Sequence, residues 1–439
     1  MRLLEHWTHD PSRVHAALVS TTHAPSPAAA ETGHLPGTPG YRRVLAAVFV
    51  AGMATFVLLY DTQALLPLLG EAFAVTPAQS TLTMSLTTAG LAGALLVAGP
   101  LSERVGRTRL IHLSLGSSVL VAVACAAAPT WEALLALRLL EGVALAGLPA
   151  VATAYLREEL HRSAHARAAG LYIGGTALGG MAGRLVTAPV ADVLGWRWAM
   201  AAAAAFALAC AVVVWLLLPA SRHFVARPMD LGHLFAMARA AGTDRALLAL
   251  YALGACAVGA LVAVFNALGF RLMSAPFGLS AGALSLVYLV YPLGTASSTL
   301  SGRLADRIGR RAIMPAGCVI ALAGVGLSLT PSLPVIVLGV AVLAIGFFIA
   351  HGLASGWVVA RAHAAGTSTG QAAALYLFAY YVGSSVFGNL GSAAWARSGW
   401  TGVSLLAGGL LVVACLLAAS LRRIPPLLTT SGQPAAPTS

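Results

Sequence analysis

Apolar residues run through this chain in blocks too long for the elements of a water-soluble core. Twelve stretches are built almost wholly of Ala, Val, Leu, Ile, Phe and Gly: roughly 44–69, 80–101, 109–128, 131–156, 166–190, 196–218, 246–273, 280–301, 312–330, 334–360, 370–395 and 400–420. About 20 helical residues cross a hydrocarbon core of about 30 Å. Each run therefore predicts a membrane-spanning α-helix. The longest polar interval between runs separates the sixth from the seventh. The pattern predicts an all-α integral membrane protein with a disordered tail at 1–40, a six-helix bundle at 41–219 and a linker at 220–245. A second six-helix bundle at 246–421 and a tail at 422–439 follow.

The polar breaks repeat. Gly99-Pro-Leu-Ser-Glu103-Arg104-Val-Gly106-Arg107-Thr-Arg109 follows the second run, and Gly302-Arg-Leu-Ala-Asp306-Arg307-Ile-Gly309-Arg310-Arg311 follows the eighth. Leu171-Tyr172-Ile173 returns as Leu375-Tyr376-Leu377, and Gly195-Trp196 as Gly399-Trp400, each 204 positions on; Gly99 to Gly302 is 203. Three landmarks in one order at one spacing indicate a duplicated half of about 200 residues. Two similar halves of membrane helices are the plan of a secondary transporter, with the substrate at their interface.

Composition narrows the function. The chain is 59% hydrophobic and 9% charged, against about 25% charged in soluble domains. The net charge of +12 comes from 26 Arg with no Lys. With the N-terminus inside, 21 of those 26 fall on the cytoplasmic side; Arg197, Arg271 and Arg397 fall outside, and Arg138 and Arg184 lie within spans. This positive-inside pattern puts both termini in the cytoplasm and explains the charge without a nucleic-acid partner. Without Lys there is neither a Walker nucleotide site nor a Schiff base, so active transport would draw on an ion gradient. The five Cys sit inside apolar runs without CxxC spacing, and His6, His9, His15, His23 and His34 lie in the N-terminal tail without accompanying ligands. No metal site, cofactor or enzyme chemistry is expected.

Ionisable groups inside spans are costly and mark cavities or partners. Arg138 and Glu141 share a face of the fourth run, near mid-membrane, where a carboxylate can exchange a proton as its distance to Arg changes. Asp61 in the first run is a second proton or substrate site, or faces water of an outer cavity. Arg184 is placed to snorkel to the outer headgroups or to meet substrate. His351 has chemistry suited to a proton relay. Tyr60, Gln63, Tyr172, Trp357, Tyr376 and Tyr380 are further candidates for a substrate cavity. In the two loop copies, the carboxylates Glu103 and Asp306 and the arginines Arg104, Arg107, Arg307 and Arg310 are expected to latch the halves on the cytoplasmic side. The glycines Gly99, Gly106, Gly302 and Gly309 would allow the tight turns.

These loops resemble the signature of the major facilitator superfamily, close to Gly-x-Leu-Ala-Asp-Arg-x-Gly-Arg-Arg/Lys. The second copy matches almost fully; the first departs at Ser102, Glu103 and Thr108. Arg138-Leu-Leu-Glu141-Gly142 looks like the family's Arg-x-x-x-Gly motif. Gly170-x-x-x-Gly174-Gly175 with Gly179-Gly180 is similar to its glycine-rich antiporter motif, with Gly175 in place of Pro. Leu58-Leu-Tyr60-Asp-Thr-Gln63 and Gly346-Phe-Phe-Ile-Ala-His351 look closest to the YnfM-type branch of bacterial inner-membrane permeases. The resemblance implies twelve helices, alternating access and proton-coupled export of a small organic molecule by a monomer in the inner membrane. An uptake symporter on the same fold is the alternative, and a non-transporting membrane sensor or scaffold is the alternative from another class.

Overall fold

The computed structural model describes residues 33–221 and 241–423, with 232 and 239 between them. Most of the tails and of the 220–245 linker therefore lies outside the described residues. Helices account for nearly all of the rest. Those long and apolar enough to span a membrane are α1 (Pro39–Ala72), α2 (Pro77–Val105), α3 (Arg107–Ala126), α4 (Trp131–Glu159), α5 (Arg162–Leu194) and α6 (Trp196–Leu217). In the second half come α7 (Arg245–Met273), α8 (Ala281–Ile308), α9 (Arg310–Leu327), α10 (Leu333–Ala364) and a last stretch, Thr369–Arg423. That stretch turns at Gly399 (φ 60°, ψ −151°) and so makes two spans, α11 (369–398) and α12 (400–423).

The helix ends follow from local chemistry. Thr76 and Gln79 form a reciprocal capping box at the start of α2, with Pro77 in the first turn, which satisfies backbone donors that the helix itself leaves open. Gly106 (φ 102°) ends α2 and Gly309 (φ 88°) ends α8; Gly195 (φ 83°) separates α5 from α6 as Gly399 separates α11 from α12. A side chain in that left-handed region costs about 1–2 kcal/mol. All four are members of the sequence repeats, so the duplication preserves the turns that fold each half back on itself.

Inside each half small residues let helices touch. A Cβ on Gly179 of α5 would fall on the Met53 carbonyl of α1, and one on Gly383 of α11 would fall on the Ala255 carbonyl of α7. Membrane helices associate through such close backbone approach because lipid gives no hydrophobic drive between them. The outward surface is apolar, with Leu120, Val193, Trp215 and Leu405 all exposed. Such a surface requires lipid around it.

Both described ends emerge on one face. His34 N–H donates to the Glu159 carbonyl at the end of α4 (2.9 Å), and Arg422 Nε donates to the Arg311 carbonyl at the start of α9 (3.0 Å). The hydrogen bonds that join the two halves gather on the opposite side. Thr81 Oγ1 donates to Ser392 Oγ (2.6 Å), Asn389 Nδ2 to the Ala78 carbonyl (2.6 Å), and Ser85 and Ser385 exchange hydroxyl-to-carbonyl bonds (2.8 and 2.7 Å). Asp192 at the end of α5 accepts the N–H groups of Ala281 and Gly282 at the start of α8 (2.9 and 2.7 Å). The two bundles are thus sealed together on the face away from the termini.

Candidate functional site

Two polar clusters occupy the middle of the molecule. The first lies inside the first bundle, where α4 crosses α1. Arg138 Nη1 donates to Glu141 Oε2 (2.6 Å) and makes an ion pair with Asp61 Oδ1 (3.0 Å) that lacks hydrogen-bond alignment. Arg138 Nε donates to the Thr83 carbonyl (3.1 Å) and Nη2 to Thr62 Oγ1 (3.3 Å). Arg138 and Glu141 are fully buried and Asp61 is 1% exposed. The sequence placed Asp61 alone, with outer-cavity water as one of its surroundings; it is buried and shares the guanidinium with Glu141.

One positive charge faces two carboxylates. With both ionised the cluster is one charge short of neutral in a dry interior; with one proton added it balances. Burial of an unbalanced charge costs several kcal/mol, so the cluster has a physical reason to hold one proton. Glu141 Oε1 has no hydrogen-bond partner among the described residues, which leaves an oxygen free to carry it.

The second cluster bridges the halves. Arg184 does not snorkel to the headgroups. It is fully buried, donating to Gln63 Oε1 (2.6 Å), the Gly180 carbonyl (2.6 Å) and Tyr291 Oη (3.3 Å). The rings of Tyr60, Tyr288 and Tyr291 surround its guanidinium at 4.5, 4.7 and 4.7 Å, a cation–π cage drawn from both halves. Gln63 passes the contact on, its Nε2 donating to Asn266 Oδ1 of α7 (2.6 Å).

The clusters meet in one turn of chain. Regular helix in α1 gives way after Tyr60, and Gln63–Leu65 form a 3₁₀ turn. Asp61 and Thr62 face Arg138, while Gln63 faces Arg184 and Asn266. Thr187 Oγ1 of α5 holds the Asp61 carbonyl (3.0 Å).

An aromatic wall continues into the second bundle. Tyr291 packs on Phe348 (6.0 Å between centroids), Phe348 on Phe347 (5.1 Å), and Phe347 stacks on His351 (5.4 Å). His351 Nδ1 lies 2.8 Å from Tyr376 Oη, and its ring 4.8 Å from that of Tyr380. Tyr60, Tyr376, Tyr380 and His351 therefore flank the centre. Tyr172 packs against the core of the first bundle, and Trp357 sits elsewhere, beneath Arg310 and Arg311 of the second loop (5.9 and 5.8 Å).

Among the described residues, the Glu103 and Asp306 carboxylates of the two loops make no contact between the halves. Arg107 binds Glu158 at the end of α4 (3.2 Å), Ser102 and, loosely, Glu103 (3.8 Å), all within the first half. Asp306 is exposed and forms no ion pair among the described residues. Two arginines on the face away from the termini bind backbone carbonyls: Arg197 that of Ala128 (2.7 Å), and Arg271 those of Ser328 and Thr330 (2.6 and 2.8 Å). They cap carbonyls left open at helix ends.

Sequence reasoning missed Asn266, Tyr288 and Tyr291. Asn266 had a signal: it stands one repeat length after Gln63. The tyrosines had none, since cage geometry depends on how α5 meets α8.

Comparison with known proteins bears on this arrangement. The family model described as Major Facilitator Superfamily matches residues 44–370 and 247–437. The inner membrane transport protein YnfM of Escherichia coli (strain K12) is 41% identical over 387 residues, covering 88% of this chain and 92% of that one. The MFS-type transporter YybF of Bacillus subtilis (strain 168) is 38% identical over 88% of this chain and 95% of its own. Among solved structures, a bacterial homologue of the human lysosomal transporter Spinster, in an inward-facing and occupied conformation, superposes with a TM-score of 0.70 at 17% identity. The match covers 88% of this chain and 97% of that structure.

Proposed function

This chain belongs to the Major Facilitator Superfamily, as a multi-pass inner-membrane transporter and not an enzyme, and we propose that it is a proton-coupled antiporter exporting a small organic molecule. The observation that carries this reading is the pairing of Asp61 and Glu141 on the single guanidinium of Arg138. A cluster balanced only when it holds a proton is a seat for the coupling ion.

The 61–65 turn supplies the link to transport. Arg138 grips Thr62 (3.3 Å), and the next residue, Gln63, spans to the other half. A proton on Glu141 or Asp61 loosens that carboxylate from Arg138, which redistributes the guanidinium's bonds among Thr62, the Leu58 carbonyl (3.5 Å from both Nη atoms) and the remaining acid. The turn shifts, and Gln63 with it. Proton binding and the seal between halves are then two readouts of one equilibrium, which is what coupling requires.

The halves rock as two six-helix units joined by the 220–245 linker, and the protein acts as a monomer. The Arg distribution supports a cytoplasmic terminus-bearing face, and in this reading the conformation described is closed to the outside. Glu103 and Asp306 latch the cytoplasmic side in the opposite state. The test is flux in proteoliposomes carrying a pH dye. Antiport predicts that entry of the transported compound on one side drives protons the other way. Movement of compound and protons in the same direction makes the protein a symporter, and flux without proton movement removes the coupling.

A further inference from the structure

Glu141 is held from two helices, and the two holds differ in kind. Arg138 Nη1 of its own helix and Cys125 Sγ of α3 donate to the same oxygen, Oε2, at 2.6 and 3.7 Å. They are the polar contacts of this side chain among the described residues, and Oε1 has no partner there. Cys125 and Glu141 are both fully buried. The sulfur belongs to an apolar cluster that includes Leu65 and Leu69 of α1 and Leu134 of α4. Leu65 ends the 3₁₀ turn that joins the Arg138 cluster to the seam between the halves. Of the five cysteines, Cys125 is the one whose thiol meets a described carboxylate.

A thiol suits this place better than a hydroxyl. Serine in a helix turns its hydroxyl back to a carbonyl of the preceding turn. Ser117 and Ser118 of α3 do so, donating to the carbonyls of Leu113 (2.7 Å) and Leu115 (3.0 Å). A thiol is a weak donor and gains little from such a bond, so Cys125 stays available to the carboxylate. An ionised acceptor in apolar surroundings strengthens what bond it makes. The two holds also part when a proton binds. With a proton on Oε1, Glu141 loses the charge that draws Arg138, and the guanidinium turns to its other acceptors. Oε2 is then a carbonyl oxygen, which still accepts from the thiol. A glutamate side chain is long and flexible, and at that moment Cys125 is its remaining polar anchor among the described residues.

We propose that Cys125 is a positioning residue for the coupling proton: its thiol holds Oε2 of Glu141 and leaves Oε1 bare to take the proton while Arg138 changes partners. The proposal deepens the coupling reading above and rests on it. It brings α3 into a cluster that α1 and α4 otherwise supply with charge.

The test uses the full chain with Cys210, Cys256, Cys318 and Cys415 replaced by Ala, so that the infrared S–H stretch reports Cys125 alone. The band is expected below that of a free alkyl thiol, and Glu141→Gln, whose amide is a weaker acceptor, should raise it. In proteoliposomes, with a compound the wild type moves, Cys125→Ala should lower pH-gradient-driven accumulation about three- to tenfold, the worth of one hydrogen bond. Exchange at equal pH should be unchanged. Cys125→Val, which fills the space without a donor, should behave as Cys125→Ala does. A band at the free-thiol frequency, or one that Glu141→Gln leaves in place, overturns the proposal. Full accumulation in the Ala variant, recovery in the Val variant, or equal loss of accumulation and exchange also overturns it, the last two marking a packing role. Loss of accumulation in Glu141→Gln without movement of the band removes the positioning role alone. Full accumulation in Glu141→Gln removes the coupling reading, and this proposal with it.

Discussion

Gln63 donates its Nε2 hydrogen to Asn266 Oδ1 at 2.6 Å, and the two residues stand 203 positions apart, the length of the internal repeat. They are the same position in the two halves, meeting across the pseudo-symmetry axis. The symmetry is broken beyond them. Arg184 answers Gln63, whereas one repeat further Gly388 lies beside Asn266. One half carries a cation at this position, and the other a glycine packed tightly on Val262 and Asn266.

The seal around that contact should be separable by chemistry. Thr81 and Ser392 hydroxyls lie 2.6 Å apart, so a Thr81→Cys/Ser392→Cys pair in a background lacking the five native cysteines is expected to form a disulfide on mild oxidation. Transport should fall to background and return on reduction, because the face away from the termini can no longer open. Full flux in the oxidised protein would mean that this seam does not separate during the cycle.

Most of the architecture was legible because a bilayer permits so few solutions. Every backbone group must be satisfied within its segment, so long apolar runs could only be helices. The repeated loops then predicted the paired turns at Gly106 and Gly309, and the Gly-Trp landmarks proved to mark a second pair, at Gly195 and Gly399. The site was legible only in part. Arg138 and Glu141 share a helix face and could be paired by counting. Asp61 could not be joined to them, since the crossing of α1 and α4 leaves no mark in spacing. Arg184 stands ten residues before the end of its helix, where snorkelling was reasonable; its partners come from α1 and α8, and only the packing shows that it points inward. Trp357 was read as cavity from its type alone.

The loop motifs should act in the other conformation. Among the described residues Asp306 forms no ion pair and Glu103 is only loosely held, so Asp306→Asn and Glu103→Gln are expected to leave this state intact and destabilise the one closed at the terminus-bearing face. In either variant the Thr81→Cys/Ser392→Cys disulfide should form several-fold faster, and turnover should fall, with normal insertion. Unchanged cross-linking and flux in both would leave these residues as topology signals alone.

Asp244 makes a prediction in pH. It caps α7 through the N–H groups of Ala246 and Leu247 (2.8 and 3.0 Å) and binds Arg361 of α10 (3.0 Å). Burial pushes its carboxyl up, but the bonds from Leu247 and Arg361 outweigh this and hold it below the usual carboxylate range. A folded-state value below the unfolded one, about 3.9, gives stability that is complete above that value and lost as pH falls through the lower one. Wild-type thermal stability in detergent should therefore drop below about pH 4, by about 1 kcal/mol for this pair. Asp244→Asn, which keeps a capping side chain, should be less stable at neutral pH and flatter across that window. Parallel pH curves for the two proteins would contradict the assignment.

The central claim is that Arg138, Asp61 and Glu141 together carry the coupling proton. It is tested most directly by measuring, in proteoliposomes, both pH-gradient-driven accumulation and exchange at equal pH of a compound the wild type moves. Glu141→Gln removes the acid that completes the balance, leaving one carboxylate for one guanidinium. The account predicts that this variant loses gradient-driven accumulation and keeps exchange, whereas Arg138→Ala, which strands two buried carboxylates, impairs both. Asp61→Asn should resemble Glu141→Gln, since the two acids share one guanidinium. Gradient-driven accumulation at the wild-type level in both acid variants would contradict the account and move the coupling proton elsewhere.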